Sequence, residues 1–97
     1  MVIGISIFEL HLPHVRSLKQ KRKVVRSLID RIHHRFRVSV AETDHHDLHQ
    51  RSEIAVAAIA RDDRDGQRLM DSIREMVDEQ EGAILTFWDP QYLEGER

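Results

Sequence analysis

At the start of the chain, apolar side chains fall on both alternating parities, with Ile3, Ile5 and Ile7 on one and Phe8, Leu10 and Leu12 on the other. This pattern predicts a strand over residues 2–12 that either carries a bulge or is covered on both faces, and Pro13 closes it. From Ser17 the period becomes helical: Leu18, Val25, Leu28, Ile29, Ile32 and Phe36 form one stripe, predicting a helix over residues 17–36. Val38 to Thr43 alternates as a second strand, Asp44 to Gln50 is a polar connection, and Ser52 to Ala60 reads as a third strand. A second helix is expected from Asp63 to Gln80, with Leu69, Ile73, Met76 and Val77 at core spacing and Gly82 as its stop. Ala83 to Trp88 gives a last strand, after which Asp89-Pro90 is expected to turn the chain into a polar tail over residues 88–97.

The order β-α-β-β-α-β predicts an α+β, ferredoxin-like single domain over residues 1–97. Right-handed crossovers would put both helices on one face of a four-stranded antiparallel sheet, with the first and third strands central. The third strand is apolar on both parities: Ile54, Val56 and Ala58 alternate with Ala55, Ala57 and Ile59. A solvated face should instead alternate with polar residues. The open face is therefore expected to pack against a second copy of the chain, making a homodimer, or to lie under the Trp88 to Tyr92 segment.

Charge changes the picture at the first helix. From His14 to Phe36 there are eight cations against Asp30 alone, a net of +7, while the chain from Val38 onward carries −9 and the whole chain −2. Ser17 and Gln20 have capping-box spacing, yet the turn they open holds Lys19, Lys21, Arg22 and Lys23. A helix N-terminus already bears about half a positive charge, so clustered cations there oppose the isolated helix and favour a bound anion. Helical geometry gathers Lys19, Arg22, Lys23 and Arg26 on one flank, where they can follow a phosphate backbone, with Arg16 and the helix N-terminus extending the patch. Lys21 points nearer the apolar side and is expected to snorkel past its edge.

The remaining chemistry is sparse. The sequence has no cysteine, which excludes disulfides, thiolate metal sites and cysteine nucleophiles. Val2 to Phe8 is too short to span a membrane and lacks the flanks of a signal peptide, so a cytoplasmic protein without membrane attachment is expected. No glycine-rich phosphate cradle and no serine–histidine–acid set is fixed by spacing, so neither a cofactor nor catalysis is expected. Asp44, His45, Asp47 and His49 form the one candidate metal set, and would need a helical turn to converge. Glu42 and Arg51 are expected to pair across the hairpin.

Three ordered motifs carry a family likeness: Ser17-Leu18-Lys19-Gln20-Lys21-Arg22, then Arg35-Phe36-Arg37-Val38-Ser39-Val40-Ala41-Glu42, then Asp47-Leu48-His49-Gln50-Arg51. Together they resemble the bacterial YlxP-like family, catalogued as domain of unknown function 503, over nearly the whole chain. That family usually has Asn where Arg37 sits and an aromatic, commonly Trp, where His49 sits. The resemblance implies a small ferredoxin-like protein, often encoded beside translation initiation and ribosome-maturation factors, with no catalytic residues to carry over. The expected function is thus a non-enzymatic accessory factor that binds RNA or ribosomes through the basic helix. The alternatives are a self-associating interaction module and a metal-binding protein. A third strand without aromatics argues against base stacking on the sheet, leaving phosphate and shape to be recognised.

Overall fold

The computed structural model describes residues 1–95. Its elements follow in the order β1 (Val2–His11), α1 (Leu18–Phe36), β2 (Ser39–Asp44), β3 (Arg51–Ala60), α2 (Asp63–Asp78) and β4 (Ile84–Glu94). The strands form one antiparallel sheet in the order β2-β3-β1-β4, with β1 and β3 central as the crossover rule demands. The chain has the ferredoxin-like arrangement.

The two parities of β1 have separate fates. Val2, Gly4, Ser6, Phe8 and Leu10 are buried beneath the helices, while Ile3, Ile5 and Ile7 point to the opposite, open face. No bulge divides Ile7 from Phe8; the strand runs unbroken against β3. The irregularity lies on β4, where register skips Thr86 between Glu9 and Leu10. That extra residue puts Leu85 on the core side and Phe87 opposite Glu9 on the open side, although the two share parity.

The core fills the space between sheet and helices. Phe8, Leu28, Ile32, Ile54, Ile73 and Val77 are fully enclosed, and Phe8 stacks obliquely on Trp88 with ring centroids 5.5 Å apart. α1 rests against β2, and α2 against β1, β3 and β4. Gly66 on α2 lets the helix approach the Tyr92 ring, since a Cβ there would stand 3.3 Å from two ring carbons. Burial against this helix, together with the nearby Asp71 charge, raises the Tyr92 phenol above its ordinary pKa.

The C-terminal expectation needs correction. Asp89-Pro90 does not turn the chain away; β4 continues to Glu94, with Pro90 opposite Ser6 and Glu94 opposite Val2. Pro is accepted because β4 is an edge strand, where its missing N–H interrupts no second ladder. Trp88 and Tyr92 pack on the core side and do not cover the open face. Of the expected tail over residues 88–97, residues 88–94 are strand and positions 96–97 lie outside the described residues.

Candidate nucleic-acid interface

α1 begins as its sequence prescribes. Ser17 is extended at φ −151° and ψ 159°, and its hydroxyl accepts the Gln20 N–H at 3.1 Å. The Gln20 side chain reaches back to accept the Arg16 N–H at 2.7 Å. No acidic residue occupies the first turn. Arg16, Lys19, Arg22, Lys23 and Arg26 are all exposed, and none has a carboxylate oxygen within 4.0 Å among the described residues. Lys19, Arg22, Lys23 and Arg26 line one shallow groove along the helix, together with Ser27 and Arg31; Asp30 stands at its end. Like charges at i, i+4 repel, so this flank weakens the helix that carries it.

Lys21 behaves differently from its neighbours. It is 1 % exposed rather than snorkelling, with Nζ 2.9 Å from Glu42 Oε2 and a further hydrogen bond to the His45 carbonyl. Ser52 Oγ donates to the same carboxylate at 2.6 Å. Glu42 therefore does not pair with Arg51, as the hairpin spacing led one to expect. It lies on the core-facing parity of β2 beneath α1, while Arg51 points to the open face and binds Glu9 at 3.0 Å. The clue available in sequence was paired: a lysine on the apolar side of α1, and a glutamate sharing the parity of Val40 on β2.

The connection over residues 45–50 is tied down by polar contacts. His45 has a left-handed φ of 62° and its Nε2 donates to Glu9 Oε1 at 3.0 Å. His46 donates to the Glu42 carbonyl at 3.2 Å. His49 instead borders a groove with Pro13, His14, Arg16 and Gln50. The candidate metal set of Asp44, His45, Asp47 and His49 is thus not brought together. Among the described residues no group of three or more His, Asp or Glu side chains is placed to hold an ion. His33, at the helix end, is occupied by the Val38 carbonyl at 2.8 Å.

The open sheet face offers no stacking platform on its central strands. Ile3, Ile5, Ile7, Ala55, Ala57 and Ile59 occupy it, and Phe8 is turned wholly into the core. Among the described residues, no helix is long and apolar enough to cross a membrane.

Comparison with known proteins sets these features in context. The family model described as "Protein of unknown function (DUF503)" matches residues 3–88. The uncharacterised protein YlxP of Bacillus subtilis (strain 168) is 32 % identical over 59 residues, which span 61 % of this chain and 64 % of that protein. Among solved structures, a de novo designed protein with a ferredoxin fold superposes with a TM-score of 0.56 at 12 % identity. The alignment covers 89 % of this chain and 81 % of the designed one, and it bears on the fold alone.

Proposed function

The chain belongs to the DUF503 family, and we propose that it is a non-enzymatic cytoplasmic accessory factor that binds structured RNA, of which ribosomal RNA is the foremost candidate. The observation that carries this reading is the exposed flank of α1, where Lys19, Arg22, Lys23 and Arg26 stand without carboxylate partners among the described residues. Four cations within two helical turns span about 10 Å and project from one side of a rod, a geometry that suits a line of phosphates. Arg16 and the free N–H groups beyond Ser17 continue the positive surface at one end. With aliphatic central strands on the open sheet face, contact is made through phosphate and shape rather than through bases stacked on the sheet.

The test is a titration of structured ribosomal RNA at several salt concentrations. The wild type is compared with a variant in which Lys19, Arg22, Lys23 and Arg26 are all replaced by Glu. About four phosphate contacts give a log–log salt slope of roughly −3 to −4, and reversing the four charges lowers affinity by on the order of a hundredfold or more. Circular dichroism confirms that the variant is folded. Equal binding by both proteins, or none by either at low salt, overturns the reading.

A further inference from the structure

The open side of the sheet is a second surface that RNA binding through α1 leaves unused. Ile59 is 76 % exposed, Leu93 55 % and Phe87 47 %, and no described residue packs across them. β1 contributes a ridge of three isoleucines, Ile3, Ile5 and Ile7, while β3 beside it has Ala55, Ala57 and, opposite Ile3, Ile59. Those alanines leave a hollow of about 260 Å³, lined on this face by Ile5, Ser39, Ala41, Ala55 and Ala57, of which Ser39 alone is polar. Glu9, Arg51 and Glu53 gather at one end of the face and form a charged border.

We propose that a second copy of this chain covers this face, the two sheets packing about a two-fold axis that runs along the strands between β1 and β3. The reason is self-complementarity. Ile5 is the register partner of Ala57, and Ile7 of Ala55. A two-fold along the strands preserves height while exchanging β1 for β3. It therefore sets Ile5 of one copy over Ala57 of the other and Ile7 over Ala55, a ridge over a hollow, twice, while Ile3 meets Ile59 at one end of the strands and Glu9 lies over Glu53 in the charged border at the other. An axis across the strands would instead stack isoleucine on isoleucine along the whole of β1, not at the Ile3 end alone, and leave alanine facing alanine, which wastes contact at sheets about 10 Å apart. A solvent-facing role accounts poorly for this face, since its central strands carry aliphatic residues where a solvated sheet alternates with polar ones.

The size is sufficient. Four strands about 4.8 Å apart and roughly eight residues long cover about 500 Å² in projection. Two such faces bury about 1,000 Å² or more, the lower bound for a specific interface. The pairing also leaves both α1 helices outward on opposite sides of the dimer, so their basic flanks remain free. It does not depend on the RNA reading.

Sedimentation equilibrium of the full chain across the micromolar range tests the proposal. The wild type is expected to be a dimer. Ala57→Glu puts a charge in the exposed hollow without touching the core, and is expected to weaken association by on the order of a hundredfold. A second pair of variants tests the geometry itself. Ala57→Ile alone overfills the hollow and weakens the dimer, while Ile5→Ala combined with Ala57→Ile exchanges ridge and hollow and restores it. A wild type that stays monomeric overturns the proposal, as does a dimer indifferent to Ala57→Glu. Should Ala57→Glu fail to fold, a double variant that associates no more tightly than Ala57→Ile alone also overturns it.

Discussion

The two helices lie on the same side of one sheet and handle charge in opposite ways. Both are capped alike: Ser17 and Asp62 are extended residues whose side chains accept an N–H from Gln20 and Asp65 respectively. Beyond the cap they diverge. The first turn of α2 holds Asp63 and Asp65, which suit the positive end of the helix dipole, and Asp65 also binds Arg61 at 2.7 Å. That hydrogen bond, with the nearby Asp62 charge, raises the Arg61 guanidinium above its ordinary pKa. Farther along, Arg74 pairs with Asp78 at i, i+4. α1 has no acid in its first turn and leaves five cations around it unpaired among the described residues. Its compliant end is the other one, where His33, His34 and Arg35 meet the negative pole; the last turn of α2 has no such cation. Charges that α2 uses within itself at its start are, on α1, left for something outside the molecule.

Lys21 is where the contrast breaks most strongly, because it is the one cation of the α1 block spent inside. Replacing it by Met leaves Glu42 beneath the helix with Ser52 as its remaining partner. Glu42 retains 16 % exposure, so the expected loss is about 2–3 kcal/mol, at or below the lower end for breaking a buried pair. Urea unfolding measures it. Adding Glu42→Leu to Lys21→Met should recover most of the loss, since an apolar pair avoids the stranded charge. Lys23→Met, two residues away, should change stability by no more than about 0.5 kcal/mol. Its effect belongs to RNA affinity, where the salt slope should fall by about one.

How far these differences could be read from sequence depends on what each requires. Element order and the two central strands follow from local periodicity and the handedness of crossovers, so five of the six elements sit close to where the pattern places them, and β4 begins where expected but runs six residues further. The patch on α1 follows from helical geometry alone, and its five cations are exposed as that geometry demands. What escaped was tertiary. Glu42 chose Lys21 over Arg51 because strand parity turned the carboxylate beneath α1 and Arg51 away from it. β4 ran through Pro90 because the sheet order made it an edge, which no local signal at Asp89-Pro90 reveals. The bulge at Thr86 likewise depends on pairing with β1, and it alone decides which face Phe87 occupies.

Arg37 gives a smaller effect at the opposite end of α1. It closes the helix in the left-handed region, with φ 54° and ψ 48°, and its N–H donates to the His33 carbonyl. Any side chain with a Cβ is strained in this conformation, and Asn offsets part of that cost through local hydrogen bonding where Arg does not. Arg37→Asn should therefore stabilise the fold by about 0.5–1 kcal/mol, read as a higher urea midpoint with an unchanged slope. A fall in the midpoint would mean that the Arg37 side chain contributes more than its backbone costs.

Lys19→Glu carries a stability effect no larger than that of Arg37→Asn and asks the sharpest question, because it makes α1 resemble α2. The new carboxylate would sit in the first turn, near the positive end of the dipole, and could pair with Lys23 at i, i+4 in the favoured orientation. Stability should rise by about 0.5–1 kcal/mol, or about 3–6 °C in melting temperature for a domain of this size. RNA affinity should fall in the same variant, since one phosphate contact is lost and a repulsive charge replaces it. Opposite signs for folding and binding would identify Lys19 as a residue kept against the interest of its own helix. A variant that gains stability with no loss of RNA affinity would place Lys19 outside the interface and confine the patch to Arg22, Lys23 and Arg26.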